Sequence, residues 1–277
     1  TPGMLFEEFG FKYFGPVDGY DFETLERALV RARDRKGPVL VHVLTEKGRG
    51  YIPAQEERPK FHGIGPFEIE TGKVKKSGEF RPTFTEVLGQ TLCRLAAENR
   101  KIVAITAAMK EGTGLNRFAA EYPARFFDVG IAEQHAVTMA AGMAKGGLKP
   151  FVAIYSTFMQ RAFDQAVHDV ALMNLPVVFC LDRAGLVGED GPTHHGAFDI
   201  SFLRIIPNLQ LLAPADEHEL QLMLEYAANH DGPVVIRYPR GSSIESRPAG
   251  MRPPPLVCGQ AETMLQGNDL SIWALGH

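Results

Sequence analysis

A chain of 277 residues with 45% hydrophobic and 22% charged residues can bury one large or two medium cores and has the composition of a soluble globular protein. A formal charge of -4, with Lys and Arg scattered, gives no basic field for nucleic acid or a membrane surface, and no apolar run approaches the roughly 20 residues of a membrane span. Cys93, Cys180 and Cys258 are too few and too far apart for a disulfide framework or a zinc site, and Thr1 to Gly10 lack the basic start and apolar run of a signal peptide, so the expected compartment is the cytoplasm.

From Asp21 to Arg35 the apolar residues Phe22, Leu25, Ala28, Leu29 and Ala32 follow helical spacing, and Gly37-Pro38 punctuates before a strand at Val39 to Leu44. Ala54 to Arg81, rich in Pro, Gly, Lys and Glu, reads as a long loop and linker. Strands are then predicted at Ile102 to Thr106, Phe126 to Val129, Phe151 to Tyr155, Val177 to Leu181, Leu209 to Ala213 and Val234 to Tyr238. Helices are predicted at Leu115 to Glu121, Ala132 to Lys145, Phe158 to Asn174 and Asp216 to Asn229. Near-continuous apolar strands alternating with amphipathic helices predict an α/β fold, a parallel sheet covered by helices on both faces. Ligands of such sheets sit beyond the carboxyl ends of the strands, and Glu133, Tyr155, Arg183 and Arg240 all fall at or just past such ends. A polar connector, Ser242 to Pro255, leads to an apolar strand at Leu270 to His277. The opening without an initiator Met and the closing strand make a fragment of a longer polypeptide the expectation. The expected division is 1–53, the end of a first domain; 54–81, loop and linker; 82–245, a second domain; and 246–277, a linker and the start of a third.

The run Phe127-Asp128-Val129-Gly130-Ile131-Ala132-Glu133-Gln134-His135-Ala136 carries an acidic residue from a strand end into the first turn of a helix, where the helix N-terminus favours the anion. By itself such a Glu reads mostly as a helix-start charge. Arg183 and Arg240 follow apolar strands and present forks that match phosphate oxygens, yet each also reads as a solvated loop charge. Tyr155, Phe158 and Arg161 read alone as a strand-end Tyr, a core aromatic and a solvated helix Arg. Asp190 and His194 lie in a loop, Gly188 to Gly196, that is a surface loop on composition; adjacent His194 and His195 seldom share one metal, and no metal site is predicted. His62 is an ordinary loop His. Lys47-Gly48-Arg49-Gly50 lacks P-loop spacing, and the absence of Gly-x-Gly-x-x-Gly speaks against a nucleotide-dependent redox enzyme.

Five segments nevertheless occur together and in order: Tyr13-Phe14-Gly15-Pro16-Val17-Asp18-Gly19, Glu46-Lys47-Gly48-Arg49-Gly50-Tyr51, Asp128 to Ala136, Tyr155 to Gln165, and Asp182 to Gly196. With them the chain resembles the 1-deoxy-D-xylulose-5-phosphate synthase family, thiamine-diphosphate enzymes of the transketolase-like group. The resemblance implies the transketolase-like thiamine-diphosphate-binding fold, with 82–245 as its pyrimidine-binding domain and 1–53 as the end of the diphosphate-binding domain. It implies Glu133 as the acid that shares a proton with the cofactor's aminopyrimidine, and Phe158 as the ring stacked on that pyrimidine. It implies Tyr155, Arg161, Arg183 and Arg240 as substrate-binding residues, and Asp190, His194 and His62 as substrate-facing groups that manage protons. The implied partners are pyruvate and D-glyceraldehyde 3-phosphate, the implied assembly a homodimer, and the implied cofactors thiamine diphosphate and Mg²⁺.

Two departures stand out. Tyr20 occupies a position where the family usually has His. The family's Gly-Asp-Gly motif with its later Asn, which holds Mg²⁺ and the diphosphate, does not occur in this chain, so the metal ligands are expected outside it and the isolated chain is expected to be inactive. The competing expectations are another enzyme of the same cofactor group, such as a transketolase or the β chain of a 2-oxo acid dehydrogenase, and a non-catalytic partner-binding fragment. The Asp182 to Gly196 run speaks against the first.

Overall fold

Parallel strand pairing organises both parts of the chain. The computed structural model describes residues 3–58, 60–75, 81–243, 256–257 and 259–277, and they divide into two compact units, Thr1–Gly78 and Glu79–His277.

The first unit holds α1 (Met4–Glu8), β1 (Lys12–Asp18), α2 (Phe22–Arg33) and β2 (Val39–Leu44). Asp21 caps α2 by accepting from the Thr24 backbone N–H at 3.1 Å. β1 and β2 pair in parallel, Lys12 opposite Val39 and Asp18 opposite Leu44, with a slip between Phe14 and Val17. Gly15 and Pro16 interrupt the alternation there, which is why β1 is not legible as a strand in the sequence. The predicted apolar stripe of α2 is used only in part: Ala28 is buried while Phe22 and Leu29 stay exposed, because a two-stranded sheet covers a narrow strip of a helix. The predicted loop after residue 54 overlaps a short helix, α3 (Ile52–Glu56). It also carries a bridge between Phe67 and Val74 and a trio of rings, Tyr51–Phe61 at 5.5 Å and Phe61–Phe67 at 5.3 Å.

In the second unit the chain runs through α4 (Phe84–Glu98), β3 (Ile102–Thr106), α5 (Asn116–Glu121), β4 (Phe126–Asp128), α6 (Glu133–Lys145) and β5 (Lys149–Tyr155). It continues through α7 (Phe163–Gln165), β6 (Val178–Asp182), α8 (Asp199–Leu203), β7 (Gln210–Leu212), α9 (Glu217–Asn229) and β8 (Val234–Arg237). The six strands are all parallel, in the order β4-β3-β5-β6-β8-β7. One face packs on α4, α5 and α9 through Leu88, Leu92, Phe118, Leu220 and Leu224; the other packs on α6 and the segment after β5 through Ala136, Val137, Ala140, Met159 and Val170. The sheet is thus covered on both faces, as the strand pattern predicts. From β3 the chain moves outward to β4, and from β5 it moves the opposite way to β6, so a crevice opens beyond the carboxyl ends of β3 and β5.

Three expectations need correction. The helix predicted at Phe158 to Asn174 is a 3₁₀ stretch, Ser156–Ala162, then α7, then a π-helical turn, Ala166–Ala171. Apolar spacing cannot distinguish these windings, and the tighter winding lets the chain turn directly out of β5. The apolar strand predicted at 270–277 is not formed, and Leu270, Ile272 and Trp273 lie exposed. Helices α4 and α8 lie outside the predicted elements, although Thr83 and Glu86 form a reciprocal capping box at the start of α4. Cys93 and Cys180 are free and buried; Cys258 and most of the predicted connector lie outside the described residues. Among the described residues no helix is long and apolar enough to cross a membrane.

Close packing of α4 against the loop before α5 leaves no room for a Cβ at Gly89, which would run into the Gly114 carbonyl oxygen. Gly89→Ala is therefore expected to destabilise the protein by about 1–3 kcal/mol in urea unfolding, against the roughly 1 kcal/mol gain that helix propensity alone would give. At the opposite rim the buried Lys149 donates to the His230 carbonyl at 2.5 Å, and burial pushes its ammonium from 10.5 down to about 8. Between about 8 and 10.5 the unfolded chain binds the proton that the folded chain has lost, so this contribution to stability should rise with pH across that window. In thermal melts Lys149→Met should flatten that rise.

Candidate active site

Each predicted rim residue owes its place to a strand end. β4 terminates at Asp128, whose Oδ1 accepts from the Ala108 N–H at 2.8 Å and the Gly130 N–H at 3.0 Å. This carboxylate ties the turn into α6 to the loop after β3. Glu133 is then the first residue of a 13-residue helix and is only 3% exposed. Its Oε2 lies 3.4 Å from Nη1 of Arg161, itself 60% exposed, so the predicted substrate-binding Arg161 stands as the counter-charge of Glu133.

β5 ends at Tyr155 and β6 at Asp182, and the register sets these two residues opposite each other. The Tyr155 ring stacks on Phe158 at 5.7 Å and an interplanar angle of 14°. His194 meets both edge-on, at 5.5 Å from Phe158 and 6.2 Å from Tyr155. Its Nδ1 lies 3.0 Å from the Thr193 hydroxyl, whereas Nδ1 of His195 accepts from the Val187 N–H at 3.1 Å. The two His residues thus serve different partners, and among the described residues no group of three His, Cys, Asp or Glu could hold a metal. Burial pushes the Tyr155 hydroxyl up from its ordinary value, partly opposed by Arg183.

Arg183 and Arg240, drawn from the ends of β6 and β8, share one carboxylate. Asp190 Oδ2 lies 3.3 Å from Arg183 Nε, and Oδ1 lies 3.2 Å from Arg240 Nη1. Glu189, 91% exposed, adds a contact to Arg240 at 3.5 Å. The Arg183 guanidinium lies 4.1 Å over the Tyr155 ring, which joins the arginines to the aromatic group. Both arginines line a cavity of about 690 Å³ together with Thr85, Glu86, Gly112 and Asn116. The loop carrying Asp190 turns at Gly188 and Gly191, both with positive φ.

His62 belongs to the first unit, where its Nδ1 lies 2.7 Å from Lys47 Nζ. An ammonium can only donate, so this ring nitrogen accepts and the His proton sits on Nε2. Tyr20 is structural in the same unit: its hydroxyl lies 2.7 Å from both the Glu46 carbonyl and the Glu46 N–H, and Arg49 lies 3.9 Å over its ring.

Sequence reasoning missed the carboxylates behind these groups. Asp182 is fully buried, accepts from Thr85 Oγ1 at 2.7 Å and Arg183 Nη1 at 2.9 Å, and is pushed up to about 6 by burial against the opposing pull of Arg183 and Thr85. Asp199, 1% exposed, accepts from Arg237 Nε at 2.8 Å and Ser156 Oγ at 2.9 Å, fixing the residue after Tyr155. Their only sequence signal is an acidic residue in an apolar setting.

With this geometry in hand, residues 81–244 match the family described as transketolase, pyrimidine binding domain. The chain belongs to that family. Residues 1–45 match a second description, 1-deoxy-D-xylulose-5-phosphate synthase. Over 277 residues the chain is 57% identical to the synthase of that name from Pelotomaculum thermopropionicum, and over 276 residues it is 55% identical to 1-deoxy-D-xylulose-5-phosphate synthase 1 of Geobacter sulfurreducens. Each match covers 100% of this chain, which spans 43% of the length of either relative. Among solved structures, a transketolase from Campylobacter jejuni shares the fold with a TM-score of 0.56 at 20% identity, over 90% of this chain and 50% of that one. A split-gene transketolase described as an inactive β4 tetramer is 33% identical with a TM-score of 0.55, over 62% of this chain and 56% of that one. The family resemblance read from the five sequence segments therefore holds along the whole chain.

Asp199 is buried and Arg237 largely so, and loss of the carboxylate would leave the guanidinium without its partner. Asp199→Ala is expected to cost about 3–5 kcal/mol in chemical denaturation. A loss under about 1 kcal/mol would show that water replaces the carboxylate.

Proposed function

We propose that this chain forms the pyrimidine half of the site of a 1-deoxy-D-xylulose-5-phosphate synthase, a transferase that condenses pyruvate with D-glyceraldehyde 3-phosphate and releases CO₂. The observation that carries this reading is Glu133, a buried carboxylate at a helix N-terminus within a chain that matches synthases over its whole length.

The donor set fits thiamine diphosphate at its pyrimidine end. Glu133 offers a carboxyl group that can share a proton with a ring nitrogen, and Phe158 is a half-buried aromatic on the same rim. When bound, the cofactor supplies a nucleophilic carbon and an electron sink for decarboxylation. Glu133 holds the proton at the pyrimidine nitrogen, and Arg161 beside it steadies the carboxylate charge. Arg183 and Arg240 bind the phosphate of the acceptor through their forks. Tyr155 walls the acceptor, while His194, with Asp190, holds and moves protons at the reacting oxygens. Mg²⁺ and most of the diphosphate are assigned to residues outside this chain, in keeping with the missing Gly-Asp-Gly motif. The division 1–53, 54–81, 82–245 and 246–277, the homodimer and a cytoplasmic location belong to the same proposal.

Because the chain spans 43% of its synthase relatives, a second reading is a half-site chain that acts only with a partner providing the diphosphate half. Purified alone with thiamine diphosphate, Mg²⁺ and both substrates, the chain is expected to form no 1-deoxy-D-xylulose 5-phosphate. A polypeptide extended to the relatives' full length should form it, and there Glu133→Gln should lower turnover by about 10²–10⁴-fold. Unchanged turnover in that variant would overturn the assignment of Glu133.

A further inference from the structure

Arg183 is held in an unusual way for a ligand-binding cation. Its backbone lies in the left-handed region at φ 59°, a conformation that non-glycine residues seldom adopt. Its guanidinium is already committed along two edges. Nη1 donates to the Gly112 carbonyl at 2.7 Å and to Asp182 Oδ1 at 2.9 Å, and Nε donates to Asp190 Oδ2 at 3.3 Å. The plane rests over Tyr155. Nη2 makes no hydrogen bond to any described residue, and Arg183 lines the 690 Å³ cavity.

Among these partners Asp182 alone is fully buried, and it accepts on both sides: from Arg183 on one oxygen and from Thr85, in the first turn of α4, on the other. A carboxylate without water must have its oxygens satisfied, so Thr85 fixes the plane of Asp182 and Asp182 fixes the edge that Arg183 turns inward.

We propose that Asp182 is a positioning residue for anion binding: held by Thr85, it engages Nη1 of Arg183 and so leaves Nη2 to face an anion in the cavity. This rests on the reading of Arg183 as a phosphate ligand. The ionisable groups facing Asp182 are Arg183, Cys180, Tyr155 and Tyr238; the Tyr238 hydroxyl is buried and unpaired. Arg183 is the cation among them, and Thr85 adds an uncharged donor.

Position and charge make opposite demands on this carboxylate, which makes the proposal testable. As a bare negative charge near Arg183, Asp182 would weaken anion binding, and its removal would tighten it. As a positioning group it strengthens binding, and its removal frees the guanidinium to rotate. Sulfate, a dianion throughout pH 5–8, is the probe, titrated calorimetrically into the 277-residue chain and its variants, with circular dichroism as the check on folding. Asp182→Ala is expected to weaken sulfate binding about tenfold, the loss of one charge-assisted hydrogen bond. Asp182→Asn should restore it to within about threefold, because the amide oxygen can accept from Arg183 while its N–H donates to Thr85. The affinity of the wild type should change with pH near 6, and that of Asp182→Asn should not.

Where Asp182→Ala does not fold, Thr85→Val provides the milder break, expected to weaken binding about threefold, with Thr85→Ser restoring it. Unchanged or tighter binding in Asp182→Ala and Thr85→Val, or an Asn variant as weak as Ala, overturns the positioning role. Arg183→Ala separates the two claims. Sulfate binding that survives it, or is absent from the wild type, overturns the phosphate reading of Arg183, and the positioning role with it. Binding lost in Arg183→Ala but kept in Asp182→Ala overturns the positioning role alone.

Discussion

The register of β5 against β6 is the constraint from which the rest of the site follows. Setting Tyr155 opposite Asp182 places an aromatic ring and a buried carboxylate side by side at one sheet edge. The next residue, Arg183, folds its side chain back over that ring and onto that carboxylate. A slip of one residue would turn each of these side chains to the opposite face of the sheet. The register is held firmly because both faces are packed: Phe151, Ala153, Val178 and Cys180 serve one core, and Val152, Ile154, Phe179 and Leu181 the other. Burial on both faces thus converts the hydrophobic effect into side-chain placement at the rim.

Acidic residues carry that placement outward. Asp128 joins the turn before Glu133 to the loop after β3, Asp182 joins Arg183 to α4, and Asp199 joins Ser156 to Arg237 on β8. Each accepts from at least two donors on separate segments, which lone hydroxyls or amides do less well. An ion pair in the interior is a poor source of net stability, since desolvation offsets most of the attraction. Its geometric value is greater: three loops that lack regular structure are fixed to a sheet that has it.

The alternation of apolar strands and amphipathic helices made the sheet legible. Ile102–Thr106 and Val39–Leu44 form as the sequence predicts, because both are short apolar runs bounded by turn residues. Helix α4 was legible too. Phe84, Val87, Leu88, Thr91, Leu92 and Leu95 are buried on one face while Glu86, Gln90, Arg94 and Glu98 are exposed on the other, so its spacing and its capping box are both present in the sequence, although the predicted elements pass over them. The stretch after Tyr155 has helical spacing, but 3₁₀, α and π windings share it within so few residues. In the site, the strand ends located Glu133, Tyr155, Arg183 and Arg240, since rim position follows from topology. Their partners were illegible: that Asp182 faces Thr85, 97 positions away in the sequence, or that Asp190 bridges Arg183 and Arg240 depends on long-range contacts that no local pattern records.

The charges around the two arginines finally explain how a site can be tied together and still receive an anion. Arg183 and Arg240 face Asp182, Asp190 and Glu189, so two cations meet three carboxylates. These carboxylates differ in what holds them. Asp182 is fixed within the core, Asp190 is 24% exposed, and Glu189 is 91% exposed on a contact of 3.5 Å. A solvent-exposed pair of that kind contributes on the order of 0–1 kcal/mol. Exchange at this cluster would therefore break the Glu189 contact first, while the buried carboxylate keeps Arg183 in place. The gradient from a buried to an exposed partner lets the same pair of guanidiniums be preorganised on one side and exchangeable on the other.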